Sequence, residues 1–169
     1  VVLVNAATAT QIGGIAAGSG ALTVTSAGPL GQSGAITQTG PGAVILDAGA
    51  NAVTLTHADN DFAGAVTPTG TAIQLNDQNA LALGTLAVGA LTVTSHGALN
   101  LGSGSIGGDL VAASNGGAVT QTGALSVSAN TSVVAGSAGI DLGNAAHSWG
   151  GTLALSNSGT ASVVLHDSA

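Results

Sequence analysis

The chain has 169 residues, with 28 Gly, one Phe and one Trp; its seven acidic residues are all Asp, and with no Lys or Arg the net charge is −7. Without a cationic side chain it cannot neutralise phosphates or attach to anionic lipid through a basic patch, which excludes those modes of nucleic-acid and membrane binding. No apolar run approaches the ~18 residues of a spanning helix, and the absence of cysteine removes disulfide and thiol chemistry.

Glycine every few residues, many β-branched residues and no Glu, Lys or Arg argue against helix throughout. Regularly spaced Val, Leu, Ile and Ala argue equally against low-complexity disorder. Short strands bounded by turn residues fit instead. In chain order they are predicted at Val1–Val4, Ala21–Thr25, Ala35–Gln38, Ala43–Leu46, Ala52–Leu55, Ala65–Thr67, Ala72–Leu75, Leu81–Leu83 and Leu86–Val88. They continue at Leu91–Thr94, Ala98–Leu101, Asp109–Ala112, Ala118–Gln121, Leu125–Val127, Ser132–Val134, Gly139–Leu142, Thr152–Leu155 and Ser162–Leu165. No basic segment precedes Val1–Val4, so no signal peptide is expected in this stretch.

Internal repetition decides the topology. Gly-Ala-Leu-Thr-Val-Thr-Ser occurs at Gly20–Ser26 and again at Gly89–Ser95. In both copies Leu and Val alternate with Thr, the period of a half-buried strand. Ile36–Gly40 returns as Val119–Gly123, and Asn60-Asp61-Phe62-Ala63-Gly64 as His147-Ser148-Trp149-Gly150-Gly151. Two supermodules result, about 1–72 and 73–162, and 163–169 starts a third that resembles the head Val1–Ala7. A chain that stops where a repeat restarts is expected to be cut from something longer. Apolar residues returning every ~18–23 positions suit a single solenoid with about three short strands per coil, stacked in parallel at ~4.8 Å. An antiparallel sandwich would need hairpin signals, and Asn115-Gly116 is the one such pair.

Units of the form Asn-Asp-Phe-x-Gly-x-Val, Leu-x-Asp, Ala-Leu-x-Leu-Gly and Gly-x-Leu-x-Val-x-Ser-x-Gly-x-Leu stand here as Asn60–Val66, Leu75–Asp77, Ala80–Gly84 and Gly89–Leu99. This pattern resembles the repeats of bacterial filamentous-haemagglutinin-like adhesins. The resemblance implies a right-handed parallel β-helix within a large secreted or cell-surface bacterial protein, exported by two-partner secretion or as an autotransporter. It also implies a stalk or adhesive surface with no catalytic residues and no cofactor. Host or cell-surface glycans and proteins are the partners it implies, while the matching head and tail make neighbouring repeats, or copies of the chain end to end, the other expected partners.

Candidate sites are few. Asp59 and Asp61, with Gly64 at the sixth position, echo the start of a calcium loop, but an oxygen ligand at the fifth position and the distal Glu are missing, and a polar turn is the plainer reading. Asp47, Asp77, Asp109, Asp141 and Asp167 stand singly and are expected to hold turn amides and keep the surface soluble. The four His, at positions 57, 96, 147 and 166, are expected in exposed loops. Phe62 and Trp149 are expected to be buried anchors. Threonine pairs, above all Thr23/Thr25 and Thr92/Thr94, offer hydroxyls on one strand face and are the candidate surface for ice or carbohydrate. Their irregular spacing predicts dispersal over several sides. Asp59 and Asp61 could in principle be the paired carboxylates of glycoside chemistry, but nothing around them in the sequence would bind sugar, so no enzyme activity is expected.

Overall fold

The computed structural model describes residues 1–6 and 8–168, in which every regular element is a β-strand and every strand pairing is parallel. The chain is an all-β parallel solenoid of about eight turns. One row of pairings runs through Val2–Asn5, Leu22–Ser26, Val44–Asp47, the first part of Val66–Asp77, the first part of Thr85–Ser95, Ser103–Ile106, Leu125–Val127 and Ser148–Trp149. A second row runs through Thr10–Ile12, Leu30–Gln32, Ala52–Leu55, the later parts of the two long strands, Leu110–Ala113, Thr131–Val134 and Leu153–Ser156. Ile15–Ala16 pairs with Ile36–Thr37 in a small sheet, and Leu81–Ala82, Leu99–Asn100, Val119–Thr120, Ile140–Leu142 and Val163–Leu165 form a five-stranded one.

The alternation seen in the sequence sets which side chains face in. Leu22 and Val24 are fully buried while Thr23 and Thr25 between them are half-exposed. Across the rungs Leu22 lies over Val44 and Val44 over Val66. In the second row Val53, Ile73, Leu91 and Leu110 stack in turn. Like thus sits on like, and the dry aliphatic column so formed stabilises the fold by about 1.5–3 kcal/mol for each large side chain removed from water. Glycine serves this stacking where backbones touch. A Cβ on Gly64 would lie 2.0 Å from the carbonyl oxygen of Gly42, and one on Gly42 would lie 2.2 Å from that of Gly20. Only glycine fits such a column at this separation.

Five strands lie outside the predicted set: Thr10–Ile12, Ile15–Ala16, Leu30–Gln32, Ser103–Ile106 and Ser148–Trp149. Each is short, and several fill inward positions with Thr10, Gly104 or a lone aliphatic, so their apolar period is too weak to read. Conversely, the separate strands expected at Ala65–Thr67 and Ala72–Leu75 are one strand, Val66–Asp77, as are Leu86–Val88 and Leu91–Thr94 within Thr85–Ser95. There the chain turns the corner while keeping its ladder bonds. Turns are not uniform in length: Thr85 lies beside Ser103, eighteen residues on, whereas Thr37 bridges to Asp61, twenty-four residues on.

The outer strands are open. Val2 is 75 % exposed and Val4, Val163 and Val164 are also exposed, with Val2–Asn5 paired on one edge alone and Val163–Leu165 likewise. The two similar segments occupy different sheets, and their last residues, Ala7 and Ala169, lie outside the described residues.

Candidate functional site

The two copies of Gly-Ala-Leu-Thr-Val-Thr-Ser are not equivalent in the fold. Thr23 and Thr25 stand in the first row, beside Val2 and Val4 on one side and Ile45 and Asp47 on the other. Thr92 and Thr94 stand in the second row, between Gln74 and Asn76 below and Val111 and Ala113 above. The pairs are therefore not brought together. Thr67 and Thr69 follow Ile45 and Asp47 in the first row, and Thr54 faces Gln74 in the second. Hydroxyls alternate with aliphatic, amide and carboxylate groups in each column, so no continuous threonine plane forms around these four residues.

The acidic loop holds its two carboxylates apart. Asp59 is exposed; its N–H donates to His57 Nδ1 at 3.2 Å, and its carboxylate lies 3.9 Å from the same nitrogen. Asp61 turns the other way, where its oxygens accept from Asn79 Nδ2 at 3.0 Å and Gln78 Nε2 at 3.2 Å. Among the described residues no three His, Cys, Asp or Glu side chains gather as a metal centre. Asp47, Asp77 and Asp141 each accept the N–H two residues on, at Gly49, Asn79 and Gly143, the turn role expected of them. Asp77 departs from the expectation in one respect: it is fully buried, not at the surface. Its second oxygen accepts the Phe62 N–H at 2.7 Å, bonding one coil to the next. Burial pushes its carboxyl above the usual aspartate value, against the opposing pull of the Phe62 and Asn79 bonds.

The most specific polar construction is one that the sequence shows only as a repeat. In regular rungs the first inward residue of a strand donates its N–H to a backbone carbonyl of the next coil: Leu22 to Ala43, Val44 to Ala65, Leu81 to Ala98, Leu99 to Ala118. At Ile36 and at Leu125 the acceptor is a side chain. Ile36 N–H donates to Asn60 Oδ1 at 2.9 Å, and Leu125 N–H to His147 Nδ1 at 2.9 Å. Asn60 and His147 are both fully buried, and both close a turn by donating their own N–H three residues back, to His57 and Asn144. Both are followed two residues later by a buried aromatic, Phe62 or Trp149. These are the positions aligned by the Asn60–Gly64 and His147–Gly151 repeat, although one copy follows the small sheet and the other enters the first row.

The two acceptors differ in how completely they are satisfied. Asn60 Oδ1 also accepts from Gln32 Nε2 at 2.8 Å, while Asn60 Nδ2 donates to Gln32 Oε1 at 2.9 Å and to the Leu55 carbonyl at 3.1 Å. His147 is contrary to the expectation of an exposed loop histidine, because its imidazole replaces a backbone acceptor and must face inward. Its ring packs 5.1 Å from that of Trp149, and its Nε2 is buried with no partner. Of the other histidines, His57 is half-buried and His96 and His166 are exposed.

A shallow depression of about 230 Å³ marks the second row, where Gly31 leaves a gap between Gln11 and Thr54 over Leu30 and Pro29. Its walls are mainly apolar, and Gln11 supplies the amide at its rim.

No curated protein and no solved structure matches the chain. The family described as repeats of unknown function (DUF5649) matches residues 1–69, 70–99 and 89–156, which takes in every polar construction above. The chain belongs to this family of repeats.

Proposed function

We propose that the chain is a rod segment of a bacterial extracellular adhesin or filament of the filamentous-haemagglutinin-like kind, with a mechanical and adhesive role and no enzymatic one. The observation that carries this reading is the unbroken parallel stacking of strands over the whole described chain. At the usual rung spacing, about eight turns give a rod of roughly 40 Å. The coil is right-handed with three short strands, the small sheet, prolonged one rung by the Thr37–Asp61 bridge, and the five-stranded sheet being two stretches of a third row. Neighbouring repeats, or a second copy, add at the open outer strands; Val2–Asn5 of one copy lies over Ser148–Trp149 of another, prolonging the first row. The absence of Lys and Arg leaves no trypsin-type cleavage site, which suits a protein outside the cell. Cell-surface glycans or proteins are met by the outward faces, where threonine, serine and small aliphatics alternate.

Electron microscopy of the purified chain tests this. Continuous fibres with a ~4.8 Å axial repeat are expected. Short, dispersed rods at high concentration would overturn the end-to-end part of the reading, and compact particles with no axial repeat would overturn the rod itself.

A further inference from the structure

We propose that His147 is an acid-sensitive latch that holds the last described coil to the coil before it and lets it go on protonation. The imidazole stands where a backbone carbonyl stands in regular rungs, so Nδ1 must be unprotonated to accept the Leu125 N–H at 2.9 Å. The proton of the neutral ring is then on Nε2, which is buried without a partner. A second proton would have to enter at Nδ1, setting two N–H groups against each other in a dry interior. Relief comes from moving the ring out, and the ring is tied to what covers it. His147 accepts the Ser168 N–H on its carbonyl, Trp149 packs on its ring, and Trp149 Nε1 donates to the His166 carbonyl at 2.8 Å.

The titratable groups on the surrounding segments are few. Asp141 lies on Ile140–Leu142 and accepts from Gly143, His166 and Asp167 lie in the covering tail, and residues 121–128 of the adjoining coil carry none. Burial pushes the His147 pKa below the ordinary imidazole value, and His166, of like charge when protonated, adds to that. A base whose folded pKa is depressed is bound by protons more tightly when unfolded. The hold of this coil is therefore complete above about pH 6.5 and is lost as pH falls from there toward the depressed value. The sister slot shows the non-titrating solution, since Asn60 makes the same bond with an amide oxygen.

Trp149, the single tryptophan, is 8 % exposed and reports on this coil alone. Its emission in the full chain is followed from about pH 8 to about pH 5, together with circular dichroism. The expected result is a red shift with a midpoint below about 6.5 while most of the β signal persists, lost in His147→Asn and retained in His166→Gln. Three results would overturn the latch: no shift, quenching without a shift, or an unchanged transition in His147→Asn. Should His147→Asn fail to fold, NMR of the wild-type chain decides. The Leu125 amide must lose its exchange protection in step with His147 protonation, and protection that persists through that titration would overturn the proposal.

Discussion

Asn60→Ala removes the side chain that stands in for a backbone carbonyl, and its cost can be worked from the four bonds of that amide. Two of its partners are backbone groups in the interior, the Ile36 N–H and the Leu55 carbonyl. Alanine offers them nothing. A buried polar group left unsatisfied costs about 1–3 kcal/mol, so the pair costs about 2–6 kcal/mol. The other two bonds go to Gln32, which is only half-buried and can turn to solvent, so they add little. Solenoids open locally, and the loss is expected around the coils that meet at residue 60, not as a uniform fall in stability. The assay is therefore native-state hydrogen exchange at the Ile36 amide. The lower bound of about 2 kcal/mol corresponds to exchange roughly thirtyfold faster. Gln32→Ala, which leaves the Ile36 and Leu55 bonds in place, should keep that amide protected. Unchanged Ile36 exchange in Asn60→Ala would refute the reasoning, because the amide would then not depend on this oxygen.

Gly64→Ala puts a Cβ 2.0 Å from the Gly42 carbonyl oxygen, and the nearby atoms are backbone that cannot step aside. A loss of about 1–3 kcal/mol is expected in denaturant titration, against a neutral or slightly favourable Gly13→Ala, where nothing lies within 4 Å; equal effects would refute the close-stacking account. The buried Asp77 carboxyl, raised above 3.8 chiefly by desolvation, binds its proton more readily in the folded chain than in the unfolded one. Its ionisation then lowers stability as pH rises from 3.8 through the raised value, and stability returns on acidification. NMR titration of its carboxyl carbon checks this, and a midpoint at or below 3.8 would contradict it.

The sequence carried the architecture where its period was clean. Ala52–Leu55 is a strand with the predicted bounds, and Leu22, Val24, Leu91 and Val93 face inward as their alternation with Thr requires. It failed where inward positions are not aliphatic. Leu30-Gly31-Gln32 and Ser103-Gly104-Ser105-Ile106 are held by their neighbours' ladders, a tertiary cause with little local signature. Parallel rows also hide which copy of a motif meets which: Thr23 and Thr92 lie in identical seven-residue segments yet stand in different rows, because irregular turn lengths shift the phase of the coil. Asp59 and Asp61 looked like a pair for the same reason. The partners of Asp61, Gln78 and Asn79, come from the next coil and are invisible at short range, while Asp59 meets only His57 of its own loop.

Asn60 and His147 show how such a solenoid replaces a missing backbone acceptor. At these two places the inward N–H of the coil beneath meets a side chain where other rungs offer a backbone carbonyl, and without that side chain the N–H would be orphaned. That single orphan would cost about 1–3 kcal/mol, a large share of what one coil gains. A side-chain acceptor at the inward position, closing its own turn and followed two residues later by a large buried aromatic, restores the bond. The requirement is for an acceptor and an aromatic, not for particular residues, so Asn-x-Phe and His-x-Trp satisfy it equally. This is why the repeat is degenerate in sequence while the inward acceptor and the aromatic two residues on are kept. It is also why one of the two solutions answers to pH and the other does not.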